Sequence, residues 1–192
     1  MSSQNRISVS WVAVEDYKYA VAYDSVTKMI HYDLLDYSIH LAKRLALSSL
    51  TVRNMVYHVT PFLAWISENK ILISHVGNHS IIKFRDDEQK RLVKRIGDSA
   101  KAHKRTVNSR LVCVYQYLAW LQWKRPDYIK LIGPDGQVTS NLVIDNAGKI
   151  IKSKRQAKGY YPLLFSDSGS SSRHRPAYEA TDQDCDDIKT HF

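Results

Sequence analysis

The sequence predicts a mainly α protein: a bundle of four to five helices carrying one β-hairpin before it and a second after it. Three observations lead there. Between residues 31 and 126 the apolar residues recur at helical spacing; around Glu15-Asp16 they alternate with period two; and after Pro126 short apolar runs are separated by turn chemistry. The 192 residues suffice for one domain with a proper core, or a domain and a piece of another.

The elements follow in order. ISVSWVAV (Ile7–Val14) and YKYAVAY (Tyr17–Tyr23) predict a β-hairpin within residues 1–30, a small sheet decorating a helical core. Leu34, Leu35, Ile39, Leu41, Ala42 and Leu45 make a first amphipathic helix, with Asp33 as candidate N-cap. Val52, Met55, Val56, Val59, Phe62, Leu63 and Ile66 form the stripe of a second, capped by Ser49 or Thr51 and expected to kink at Pro61. A third begins after Asn78 or Ser80 and ends at Gly97. Val107, Leu111, Val114, Leu118 and Leu121 give the seam of a fourth, which Pro126 stops.

Residues 127–160 read as a basic β-hairpin insertion turning at Pro134-Asp135-Gly136. Residues 161–176 read as a linker, in which Tyr160-Tyr161 at its start would be solvated. Residues 177–192 start a further helix with nothing to pack against, expected to open a second, truncated domain.

Charge separates body from tail. The chain carries +9, yet residues 167–192 hold three cations and six acids, net −3, which leaves +12 for residues 1–166. A basic body favours an anionic partner, most often nucleic acid. Cys113 and Cys185 have no metal-ligand spacing, so neither a metal nor a cofactor is expected, and a reduced core thiol at Cys113 suits the cytoplasm. No apolar run reaches membrane-spanning length.

The cations of Lys101–Arg110 stand out because no acid accompanies them, whereas those of the third helix lie among Asp86, Asp87 and Glu88. Cations at a helix start oppose the dipole, so stability alone would place acids there. Arg105, Thr106, Asn108 and Ser109 with open backbone N–H groups predict a phosphate-binding helix start. Arg105 and Arg110 both lie off the apolar seam and are expected to be removable without unfolding. Tyr115, Tyr117, Trp120 and Trp123 are embedded in the seam, so core packing is expected of them rather than base stacking.

TVRNMVYHVTPFLAWI, followed by RTVNSRLVCVYQYLAWLQ, resembles the N-terminal core-binding (SAM-like) domain of tyrosine recombinases, the phage integrase family. The residues carrying the resemblance are Thr51, Phe62, Leu63 and Trp65 in the first motif, and Thr106, Asn108, Arg110, Leu111, Tyr117 and Leu121 in the second. The resemblance implies that residues 31–126 clamp double-stranded DNA. Contacts would come from Thr51, Arg53, Asn54 and Tyr57 on the second helix, and from Lys104, Arg105, Thr106, Asn108 and Arg110 on the fourth. It implies a tetramer of protomers on DNA, with a monomer compatible for this fragment alone, and residues 177–192 as the start of the catalytic domain.

In that family a Tyr hydroxyl attacks a phosphodiester, and the groups assisting it include a His-x-x-Arg segment. None of the eight histidines here is followed by Arg three positions later, and no catalytic residue is expected in this chain. The competing expectation is a free-standing helical regulator, or a protein-interaction adaptor with a basic face.

Overall fold

The computed structural model describes residues 7–96, 100–151 and 159–166, without the side chains of residues 96, 100 and 101. Strands β1 (Ile7–Val14) and β2 (Tyr17–Asp24) pair antiparallel in unbroken register, Ile7 opposite Asp24 through to Val14 opposite Tyr17. Glu15 takes a φ of 54° in the two-residue connection, the left-handed geometry such tight hairpin turns require. Ile7, Ala20 and Ala22 are buried against the helices, and the Ala20 N–H donates to Ser38 Oγ at 2.8 Å.

Helix α1 (Tyr32–Ile39) begins two residues earlier than Asp33 allows as its cap, with His31 in the cap position; Asp33 lies in its first turn and pairs with Arg125. A π-helical turn, His40–Arg44, then buries His40, Leu41 and Ala42 in succession, which a regular 3.6-residue stripe cannot do. Helix α2 (Ser49–Glu68) is capped by Ser48, whose Oγ accepts the Thr51 N–H. It runs through Pro61 as one element. Val52, Val56, Val59, Phe62, Leu63 and Ile66 are buried, as the stripe requires, with Met55 half-buried.

Helix α3 (Asn78–Ile96) spans the predicted third helix; its expected stop, Gly97, lies outside the described residues. Helix α4 (Ala100–Lys124) crosses the centre, and all five seam residues from Val107 to Leu121 are completely buried. Tyr115, Tyr117 and Trp120 are buried with them, Tyr37 meeting Tyr117 edge-on at 5.3 Å, so the core place expected of these three holds, while Trp123 is half-buried at the core's edge. Cys113 is buried too, and burial pushes its thiol up to about 11.

The segment after α4 corrects the expected insertion. β3 (Ile132–Gly133) and β4 (Val138–Thr139) pair parallel, so the turn at Pro134–Gly136 loops back rather than closing a hairpin. The antiparallel pair is β5 (Val143–Ile144) with β6 (Ile150–Ile151), two residues a side. Leu131, Ile132 and Val138 are buried in the main core, which makes this region part of the domain.

Three helix amides hold this C-terminal chain, each accepting from a backbone N–H and donating to an oxygen of the same residue. Gln122 takes the N–H of Ile132 (2.8 Å) and donates to its carbonyl (2.9 Å). Asn78 takes the N–H of Thr139 and donates to its Oγ1, both at 2.8 Å. Asn108 takes the N–H of Phe165 and donates to its carbonyl, both at 2.9 Å. Residues 161–166, expected as linker, therefore form a strap across α3 and α4. Tyr160 is buried, Tyr161 is half-buried against Tyr115, and the Tyr161 hydroxyl accepts from Gln116. Both tyrosines are packed, not solvated. The rest of the expected linker and the helix at 177–192 lie outside the described residues.

Candidate nucleic-acid interface

The two sets of expected contacts sit on helices that touch. Burial first, and the Arg110 charge second, hold the His58 imidazole below its ordinary value. Helix α2 packs directly against α4. Asn54 is one turn from His58 along α2, and Thr106 is one turn from Arg110 along α4.

On α2 the expected residues face solvent. Thr51, Arg53, Asn54 and Tyr57 are all exposed. Arg53 stands over the Tyr57 ring, 5.6 Å from its centroid, and Tyr57 lies 6.4 Å from Trp11 of β1. A cation beside an aromatic ring gains an electrostatic attraction to the ring face. Thr51 has a second task, because its hydroxyl shares a hydrogen bond with Ser48 at the helix cap. Trp11 carried no signal of this role; alternation alone makes it a strand residue.

On α4 the expected residues divide. The helix begins at Ala100, so Arg105 to Arg110 lie past its first turn, and the predicted helix start with open N–H groups is displaced. The reason is local. Ala100, Lys101 and Ala102 are good helix formers and nothing before Thr106 breaks the pattern. Thr106 and Ser109 back-bond instead of capping, donating to the carbonyls of Ala102 and Arg105, each at 3.1 Å.

Arg105 is exposed and, among the described residues, forms no ion pair. Lys104 is half-buried with its ammonium 5.5 Å from the Phe165 ring centroid. Asn108 is committed to the strap. Arg110 departs furthest from expectation: its side chain is only 15% exposed and abuts the carboxylate of Glu88, itself 5% exposed. Glu88 also receives two hydrogen bonds of 2.7 Å from Arg91. Arg110 therefore lies off the apolar seam, as expected, but inside a buried ionic cluster joining α3 and α4. Its burial against Glu88 argues against the expectation that it can be removed without unfolding.

Helix α3 shows the compensated charge expected of it. Arg85 pairs with Asp86 at 2.8 Å, Lys90 with Asp87 at 3.9 Å and Arg91 with Glu88. Arg85 also donates to the Leu163 carbonyl and stacks on Phe165. Arg85 and Arg91 are thereby committed to the fold, while Lys83, Lys90, Lys94 and Arg95 of the same helix are exposed. Of the expected contact residues, those left exposed and uncommitted are Arg53, Asn54 and Tyr57 on α2 with Arg105 on α4.

Among the described residues no group of His, Cys, Asp and Glu is arranged to hold a metal ion, and no helix is long and apolar enough to cross a membrane. No protein-family model, curated protein or solved structure matches the chain.

Proposed function

We propose that this chain is the DNA-binding part of a site-specific tyrosine recombinase of the cytoplasm, clamping duplex DNA at a recombination site through α2 and α4. One observation carries the reading. Arg53, Asn54 and Tyr57 are exposed on a helix that packs against the Arg105-bearing helix, in a body of net charge +12.

Each residue has a role consistent with its placement. Arg105 and Arg53 neutralise phosphates, and Arg53, beside the Tyr57 ring, can also read a guanine edge bidentately. Asn54 can pair with an adenine edge. Lys104 adds charge beside them, while Asn108 and Arg110 act indirectly by fixing the strap and the helix packing. Strand cleavage through a phosphotyrosine link would belong to a further domain, and protomer assembly on DNA to the whole recombinase.

An electrophoretic mobility shift with duplex and four-way-junction DNA tests this reading. Retention of both DNAs at moderate salt is expected. An unshifted probe together with capture of an acidic protein would favour an adaptor instead.

A further inference from the structure

The outer strand of the hairpin has an edge with which no other described strand pairs. Along an antiparallel strand each residue's N–H and C=O point to one side, and the side alternates. The Ala20 N–H bonds Ser38 and the Ala22 carbonyl accepts from His31, so both residues of β2 point away from β1. Their register partners, Trp11 and Val9, therefore point away from β2. By the same alternation so do Ile7 and Ala13. No hydrogen bond to these backbone groups is made among the described residues.

Exposed edges are normally blunted by charge, proline, a bulge or shortness. β1 is eight residues long, contains no charged residue and no proline, and pairs with β2 without a bulge. On its outer side Val12 and Val14 are 44% and 47% exposed.

We propose that β1 pairs antiparallel with β1 of a second copy of this chain, giving a four-stranded sheet in the order β2, β1, β1, β2. Two features select a second copy as occupant. The strand is neutral within a strongly basic body, so its self-pairing meets no like-charge opposition. Its pattern is also self-complementary. With Ser10 on the two-fold axis, Val9 faces Trp11 and Ile7 faces Ala13 of the second copy, so every outward-pointing residue of one strand meets an outward-pointing residue of the other. No other antiparallel register uses all four. The helix-side row of Ile7, Val9, Trp11 and Ala13 then continues across the axis as one apolar row. Four strands make a sheet more self-sufficient than two. The inference is independent of what the α2–α4 face binds.

Ser10 supplies the test. It is exposed, and its one side-chain bond, to Tyr23, is long at 3.5 Å, so replacing it spares the fold. Sedimentation velocity of the full chain over a dilution series should show a reversible dimer. Ser10→Lys and Ser10→Glu should each weaken that dimer by about fivefold, through like charges meeting on the axis. An equimolar mixture of the two should recover it, with thermal melting of each variant unchanged. A wild-type chain that stays monomeric to roughly 0.5 mM overturns the proposal. So does a Ser10→Lys dimer as tight as wild type, or a mixture no tighter than either variant alone.

Discussion

Helices α2 and α4 carry equally promising polar residues, and the fold treats them differently. On α2 Thr51, Arg53, Asn54 and Tyr57 are all exposed, the arginine resting on an aromatic ring. On α4 the stretch from Lys104 to Arg110 is pulled three ways. Arg105 faces solvent, Asn108 holds the Phe165 backbone, and Arg110 is enclosed with Glu88. A run of cations in sequence is thus no measure of the charge a surface offers. What matters is whether a carboxylate lies within reach across a helix interface, because a buried carboxylate needs a cation as much as a phosphate does.

The widest separation between the two helices should appear in stability. Arg110→Ala leaves Glu88 buried with Arg91 as its remaining partner, and should cost about 3 kcal/mol in urea unfolding. Arg53→Ala and Arg105→Ala, on open surface, should each stay within about 0.5 kcal/mol of wild type. Equal losses at Arg105 and Arg110 would erase the distinction. Asn108→Ala comes next: loss of two hydrogen bonds should cost about 1–2 kcal/mol and raise amide exchange selectively at Leu163–Phe165. Uniform exchange across α4 would show that the amide serves the helix and not the strap.

The smallest effect concerns pH. His58, His31 and His40 are each held below the ordinary value of 6.5, chiefly by burial. An imidazole kept neutral by the fold contributes stability that is complete above its unfolded pKa and is lost as pH falls below it. Melting temperature should therefore hold from about pH 7 to 8 and decline below about 6.5. His58→Gln should reduce that decline; an unchanged acid profile would remove His58 as a contributor.

Much of the bundle was legible because its seams are local. Val107, Leu111, Val114, Leu118 and Leu121 announce a helix face by spacing alone, and all five are fully buried. The hairpin was legible for the same reason. What stayed hidden depends on partners distant in sequence. The strap is held by Asn108, Arg85 and Gln116, and nothing in the composition of residues 159–166 names those anchors. β3 and β4 are two residues long and pair parallel, too little chain for periodicity to register. The candidate site was half legible: exposure of the α2 turn follows from its position opposite the stripe, but the burial of Arg110 follows from Glu88, one helix away.

A salt titration of duplex DNA binding, wild type beside the Arg53→Ala, Arg105→Ala double variant, tests the central claim most directly. Neutralising about five phosphates gives a log–log slope near −4.5 for wild type, and loss of two contacts should bring it to about −2.7 while folding is retained. A flat wild-type response, or a double variant with an unchanged slope, would contradict DNA binding by the α2–α4 face.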